Sequence, residues 1–275
     1  MSDRPAFAFG KNWERFNALY LNADRVAEAK RSLVAFLQGQ TLEGKTFVDI
    51  GCGSGLFSLA ALELGAAKIV SVDVDPDSVA CCVQLKESKG NPACWEVIEG
   101  SILDDALVDK LGTFDCVYSW GVLHHTGQMR RAIENATRLV AKHGLLYIAI
   151  YNKTDEWGFH PDGRFGSSAF WTKEKKMYVQ LPGFLQRAID YGAMGSMIVL
   201  YVLTLQNPMK KIRGHKQLRG MSWSIDIKDW LGGYPYESAT AEEIFRMVHP
   251  LGFSLENLIC NNGLLNNEFL FRRTS

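Results

Sequence analysis

From residue 46 onward, short apolar runs alternate with amphipathic stretches. "KTFVDI" is an apolar run that ends at Gly51, and it predicts a buried strand. "GLFSLAALELGA" predicts a helix closed by Gly65. "KIVSVDVD" predicts a second strand. "PDSVACCVQLKESKG" predicts a helix with Asp75 as its cap, Pro76 in its first turn and Gly90 at its end. "CWEVIEG", "FDCVYSW" and "GLLYIAIY" predict three more strands, the last two preceded by helical runs. Residues 22–38 carry helical periodicity ahead of all of them. Strands alternating with helices predict an α/β fold with a doubly wound, mostly parallel sheet.

After Tyr151 this alternation stops. Residues 152–238 hold aromatic-rich and Gly-rich patches and one long apolar stretch, without a strand–helix rhythm. They read as an inserted helical and aromatic cap over a site. The pattern returns at "TAEEIFRMVHPLGF", where Thr240 and Glu243 have capping-box spacing, and "FSLENLIC" and "NEFLFRR" predict a closing pair of strands. Four regions follow: 1–40 as an N-terminal flap and helix, 41–151 as a ligand-binding core, 152–238 as the cap, and 239–275 as the closing helix and strands.

Length and composition narrow the picture. The 275 residues suffice for one large domain with a sizeable insertion. Hydrophobic residues at 47% and charged residues at 22% predict a packed core. Lys+Arg and Asp+Glu are 30 each, and this zero balance argues against a nucleic-acid partner. Six cysteines without a CxxC pair read as reduced thiols of a cytoplasmic protein. The start "MSDRPAFAFGKNWERF" lacks the apolar centre of a signal peptide. The uncharged run 191–207 is short for a bilayer span. No His/Cys/Asp/Glu group has recognisable metal-ligand spacing, so no metal is expected.

The chemistry concentrates in "FVDIGCGSGLFSLAAL". Gly51, Gly53 and Gly55 alternate along the loop. A dinucleotide fingerprint needs its third glycine at the place held by Leu56, and a triphosphate loop needs Lys and Ser or Thr where Leu56 and Phe57 stand. Asp49 precedes the loop by two residues and would repel a pyrophosphate, so the ligand is not anionic there. Asp73 ends the second strand, where a carboxylate can accept both ribose hydroxyls of an adenosine, with Asp75 as the nearby alternative. That role is shared with NAD enzymes. An NAD(P)-dependent oxidoreductase and a non-catalytic nucleoside-binding protein therefore remain as competing readings.

"VDIGCGSG", "VSVDVD", "EGSILDD" and "FDCVYSWGVLHHTG", in this order and spacing, resemble the class I S-adenosylmethionine-dependent methyltransferases over about residues 46–151. The resemblance implies a Rossmann-like seven-stranded sheet with a reversed last strand, and S-adenosyl-L-methionine lying across the strand tips. It implies that Asp49, Gly51, Gly53 and Gly55 line the methionine end, that Asp73 takes the ribose, and that Ser101 and Ile102 border the adenine. It adds Leu56, Val74, Ser119 and Trp120 to the cofactor set. This chain has "GS" where many members have "GD", which leaves Asp104 as an alternative adenine contact. "FAFGKNW" resembles an aromatic–Gly–x–x–Trp segment ahead of the core in small-molecule methyltransferases, implying that Phe9, Gly10 and Trp13 form a flap.

On the acceptor side, the Asn/Asp-Pro-Pro-aromatic motif of nucleobase amino-methyltransferases is lacking. "VLHH" instead resembles enzymes acting on quinones, lipids and other small metabolites. "FGKNW", "SWGVLHHTG", "IAIYN" and "DWLGGYP" together resemble bacterial methyltransferase-domain proteins of quinone-methylase-like type. The expectation is a small-molecule acceptor with a hydroxyl or thiol, deprotonated by His124 or His125, whose ordinary pKa of about 6.5 suits the task. Neighbouring side chains on a regular element point apart, so one histidine is expected to reach the acceptor. Tyr151 and Asp226 are further catalytic candidates. Asn152, Trp223, Trp230 and Tyr234 are candidates for an aromatic, partly polar pocket. Lys210, Lys211, Arg213, Lys216 and Arg219 form an acid-free basic run. It reads first as a solvated face and second as a contact with a membrane surface.

Overall fold

The computed structural model describes residues 23–160, 164–219 and 223–274. Its centre is a seven-stranded sheet. The strands are β1 (Thr46–Ile50), β2 (Lys68–Asp73), β3 (Trp95–Glu99), β4 (Phe114–Trp120), β5 (Val140–Tyr151), β6 (Phe253–Ile259) and β7 (Asn266–Arg273). Their order is β3-β2-β1-β4-β5-β7-β6. The first five run parallel, and β7 is antiparallel to both β5 and β6. This is the expected doubly wound arrangement with a reversed last strand.

Period-two alternation gives the inner strands two apolar faces. Val48, Ile50, Val70, Val72 and Val117 join one buried cluster. Phe47, Ile69, Cys116, Tyr118 and Tyr147 join the other. The flanking helices are α1 (Ala23–Phe36), α2 (Leu56–Glu63), α3 (Pro76–Ser88), α4 (Asp105–Leu111) and α5 (Met129–Arg138). Asp75 caps α3 by accepting the Asp77 amide hydrogen at 2.9 Å. The strand order reverses between β1 and β4, the position where open α/β sheets bind ligands beyond their carboxyl ends. Both the glycine loop and "SWGVLHHT" emerge there.

Residues 152–238 are mainly helical, as the reading of an inserted helical cap expects. They supply α6 (Ser168–Tyr178), α7 (Gly183–Leu203), α8 (Pro208–Arg219) and α9 (Trp223–Gly232). Tyr178, Trp223, Ile227 and Leu231 make a small core of their own, packed by Ile189, Met194, Met197 and Tyr201 of α7. The Tyr178 hydroxyl donates to buried Asp190 at 2.6 Å and fastens α6 to α7. The chain then returns through α10 (Ala241–Val248), whose start is the anticipated Thr240/Glu243 capping box. No described helix is long and apolar enough to cross a membrane.

Candidate active site

The glycine loop joins β1 to α2 through three left-handed residues, Gly51, Gly53 and Gly55, with φ of 75°, 52° and 79°. Space also excludes side chains here. A Cβ on Gly51 would lie 2.3 Å from a Val122 methyl, and one on Gly55 would lie 2.8 Å from Cys82 Sγ. The Gly51 and Cys52 amides donate to the Val72 carbonyl at 2.7 and 3.1 Å, which seats the loop over β2. Asp73 at the tip of β2 accepts the Gly53 amide hydrogen at 2.9 Å and the Asp75 amide hydrogen at 3.0 Å. Burial raises the Asp73 pKa, and these amide hydrogen bonds oppose the rise. Val74 beside it is exposed.

Asp49 lies beneath the loop, fully enclosed. It accepts the Ser58 hydroxyl of α2 at 2.7 Å, Ser58 meets Ser71 at 2.6 Å, and the Trp95 indole donates to Ser71 at 2.8 Å. Burial pushes the Asp49 carboxyl up to about 7, with the Ser58 hydrogen bond pulling the other way. Leu56 opens α2. Ser101 accepts the Leu103 amide hydrogen at 3.1 Å, and Ile102 belongs to the core beside β4. Asp104 is engaged as the cap of α4, accepting the Ala106 and Leu107 amides. Ser119 is buried and donates to the Ile50 carbonyl at 3.0 Å, locking the tips of β4 and β1 together, while Trp120 is partly exposed. Phe9, Gly10 and Trp13 lie outside the described residues.

The two histidines sit on a single 3-10 turn, Leu123–His125, that follows β4. They do not diverge as a regular element would require. Their ring centroids are 4.5 Å apart, and both rings pack on Tyr151 at the end of β5, at 4.2 and 5.5 Å. His124 is fully buried, and the Tyr151 amide donates to its Nδ1 at 3.4 Å. Its Nε2 has no hydrogen-bond partner among the described residues. His125 Nδ1 lies 2.6 Å from the Pro235 carbonyl. Glu237 braces the turn from the cap side. Its amide donates to the His124 carbonyl at 2.9 Å, and its carboxylate accepts the Met129 amide at the start of α5 at 2.9 Å. Burial pushes the His124 pKa well below the usual imidazole value, helped by the neighbouring His125 and Lys175 charges. His125 is lowered too, chiefly by burial and against the Pro235 hydrogen bond. Both rings are therefore neutral at pH 7.

From Tyr151 the aromatic contacts run into the cap. Trp230 of α9 lies 5.6 Å from Tyr151, and Tyr236 lies 5.1 Å from it. Trp171 of α6 stands 5.0 Å from Trp230. Lys175 occupies this box. Its Nζ is 4.1 Å from the Trp230 centroid, 5.2 Å from Tyr236 and 5.5 Å from Trp171. The side chain is fully buried, and Nζ has no hydrogen-bond partner among the described residues. Burial pushes its pKa down to about 7, which Glu174 partly offsets. Glu174 is itself pushed up to about 7 by burial. The Arg164 guanidinium lies 4.2 Å from the Trp230 ring centroid.

The structure thus brings together His124, His125, Tyr151 and Trp230 among the expected residues. Asp226 is half-buried on α9, one turn before Trp230. Trp223 belongs to the small core of the cap and donates to the Tyr201 hydroxyl at 3.4 Å, so it packs on α7. Asn152 is structural as well: it donates to the Gly263 carbonyl and accepts from Asn267, tying β5 to the β6–β7 turn. Tyr234 is half-buried ahead of the cis Pro235 peptide. Lys175, Trp171, Tyr236 and Arg164 were not foreseen. Lys175 hides in the charged string "TKEKK", and its one signal is the i,i+4 spacing from Trp171, which puts both on one helix face. Asn266, level with Tyr151 in the β5–β7 register, was also missed; its buried Oδ1 has no hydrogen-bond partner among the described residues.

Residues 48–148 match a protein-family model described as a methyltransferase domain. Among curated proteins, ribosomal protein L11 methyltransferase of Aliivibrio fischeri (strain MJ11) is 54% identical over 44 residues, 16% of this chain and 15% of that protein. The corresponding protein of Pectobacterium carotovorum (strain PC1) is 40% identical over 75 residues, 27% of this chain and 21% of that one. The chain therefore matches well under a third of the length of these relatives. Among solved structures, magnesium protoporphyrin IX methyltransferase from Synechocystis PCC 6803 with bound SAH superposes with a TM-score of 0.54 at 14% identity, over 96% of this chain and 93% of that one. PKMT2 from Rickettsia typhi in complex with AdoHcy gives 0.58 at 13% identity, over 88% and 52%. These likenesses are of fold.

Proposed function

The chain carries a class I S-adenosylmethionine-dependent methyltransferase domain, and from that premise we propose that it methylates a hydroxyl or thiol of a small-molecule acceptor held against the His124–His125 turn. The observation that carries this reading is the box formed by Tyr151, Trp171, Trp230 and Tyr236 beside the β4 and β5 tips, with two neutral imidazoles packed on Tyr151 and a buried lysine against Trp230.

The residues at the strand tips fit the cofactor. Gly51 and Gly55 keep the loop bare, and the Asp73 carboxylate, at the tip of β2 beside exposed Val74, would take the ribose hydroxyls. S-adenosylmethionine supplies a methyl carbon already activated by its sulfonium. The work left to the chain is to hold the acceptor in line, exclude water and accept one proton. The aromatic rings orient a flat or apolar acceptor and keep the site dry. With the cofactor bound, the methyl would pass to the acceptor oxygen or sulfur as its bond to the sulfonium sulfur breaks and leaves a neutral thioether, and the acceptor's proton would go to a protein base. His124 Nε2, neutral and without a hydrogen-bond partner among the described residues, is one candidate. Lys175, with its pKa near 7, is the better matched one. Tyr151 positions both imidazoles, and Asp226 is kept as a polar candidate on α9.

In this reading residues 41–151 serve the cofactor and 152–238 serve the acceptor. Six free cysteines, four of them buried, support a cytoplasmic setting. Leu56 at the third-glycine position stands against a dinucleotide. The test is to incubate the purified full chain with methyl-labelled S-adenosylmethionine and a metabolite extract. Label in an organic-soluble or small polar product supports the proposal. Label confined to added ribosomal protein, or binding of NADH in place of S-adenosylmethionine, refutes it.

A further inference from the structure

Helix α7 is apolar on both sides, but among the described residues only one side has a partner. Ile189, Ala193, Met194, Met197 and Tyr201 face the small core of the cap. The opposite side presents Phe184, Tyr191, Val199, Val202 and Leu203 to solvent, with Tyr191 at 72% and Leu203 at 75% exposure. A helix that is apolar all round is normally covered, and an exposed apolar face of this extent marks an interaction surface. The exposure continues through the turn into α8, where Leu205 is 96% exposed and Met209 is exposed as well. Exposed Lys210, Lys211 and Arg213 follow at once.

Charge identifies the partner. The chain has no net charge, yet residues 191–225 contain no Asp or Glu, while Lys210, Lys211, Arg213, Lys216 and Arg219 all fall within them. An apolar wedge rimmed by cations matches an anionic bilayer surface, with acyl chains below and phosphate headgroups at the rim. A two-fold dimer through this face would bring two acid-free basic runs to one interface with nothing from either segment to neutralise them. No described helix can span a membrane, so the contact is peripheral.

We propose that the outer face of α7 and the α7–α8 turn dock on anionic lipid bilayers, with Leu203 and Leu205 entering the interface and Lys210, Lys211 and Arg213 meeting the headgroups. Because α9 packs on α7 through Ile227 and Trp223 and carries Trp230 further along, this docking sets the acceptor box at the membrane surface.

The test is co-sedimentation of the full chain with phosphatidylcholine vesicles made with and without phosphatidylglycerol. Binding is expected only to the anionic vesicles and is expected to weaken with salt. L203E/L205E and K210E/K211E should each reduce it at least about tenfold, the size of the loss expected when one or two membrane-facing cations or apolar anchors go. S-adenosylmethionine affinity, read by calorimetry, should stay unchanged in both variants, which shows that they fold. The proposal is overturned if the wild-type chain ignores anionic vesicles, or if binding survives both double changes. It is equally overturned if L203E/L205E turns a dimer into a monomer in sedimentation without altering vesicle binding, since the face would then belong to a second copy.

Discussion

The Asp73 carboxylate accepts the Gly53 amide hydrogen at 2.9 Å, so the tip of β2 and the middle of the glycine loop are one unit. Asp73→Ala therefore does two things. It removes the carboxylate proposed to accept the ribose hydroxyls, and it leaves the Gly53 and Asp75 amides without their side-chain partner. Cofactor affinity should fall by about 1.5–3 kcal/mol, the worth of charge-assisted hydrogen bonds. Asp73→Asn, which keeps an oxygen for one amide, should lose less stability than Ala while losing comparable affinity. Calorimetry with S-adenosylmethionine and thermal melts of both variants separate the two contributions; equal affinity in wild type and both variants would remove Asp73 from the cofactor site.

Gly55 is held by conformation and space together. Its φ of 79° costs an L-residue about 1–2 kcal/mol, and a Cβ would stand 2.8 Å from Cys82 Sγ and 3.3 Å from the Cys82 Cα. The second contact is with backbone and cannot be relieved by a rotamer change. Gly55→Ala should destabilise the chain by about 2 kcal/mol or more in urea melts and weaken cofactor binding. Gly90, equally left-handed but with open space around it, supplies the control: Gly90→Ala should show only the conformational cost.

Asp49 should release a proton when the cofactor binds. Its carboxyl titrates near 7 because it is buried, above the ordinary carboxylate value of about 3.9. A folded-state pKa above the unfolded one stabilises the fold below about pH 4, and this contribution is lost as pH rises through 7. A ligand that brings positive charge to the loop favours the ionised form and expels the proton. Calorimetry at about pH 6 in buffers of different ionisation heat should therefore report proton release. The release should vanish in Asp49→Asn. Heats independent of buffer in the wild type would show that the ligand's charge does not reach this carboxyl.

The sheet was legible because its signals are local. β1 and β2 are apolar on both faces, Gly51 and Gly65 punctuate the segment between them, and Pro76 and Gly90 bracket the helix that follows. The Asp75 cap and the Thr240/Glu243 box could be read for the same reason. The helical nature of the cap could be read but the bounds of its helices could not, since α7 carries apolar residues on its exposed side and so hides the 3.6-residue period. The histidine pair was misjudged because its geometry comes from a 3-10 turn braced by Tyr151 and Glu237, which meet it only in the fold. Lys175 was invisible because Trp230 and Tyr236, which bury it, lie far along the chain.

Lys175 should set the pH dependence of both stability and turnover. Its Nζ is fully buried with no hydrogen-bond partner among the described residues, and its pKa is pushed down to about 7 from the ordinary 10.5. Below pH 7 the ammonium is charged in both folded and unfolded chains, so the burial penalty is present and constant. Between about pH 7 and 10.5 the unfolded chain binds the additional proton, and stability rises with pH. Glu174, raised to about 7 by burial against the pull of Lys175, adds the opposite slope below that value, and in the Lys175→Met variant, without that pull, its pKa rises further. Lys175→Met keeps the apolar stem and drops the charge. The variant should be the more stable protein at pH 7, by up to a few kcal/mol, and its advantage should shrink towards pH 10, which urea melts across that range will show. Turnover reports on function separately. If the lysine takes the acceptor proton, Lys175→Met should lose roughly a hundredfold in turnover and also the ascending limb near pH 7. His124→Ala and His125→Ala should keep that limb, because burial holds both imidazole pKa values below the usual range. A Lys175→Met enzyme that is more stable, fully active and unchanged in pH profile would make Lys175 a filler of the aromatic box and return the proton to His124.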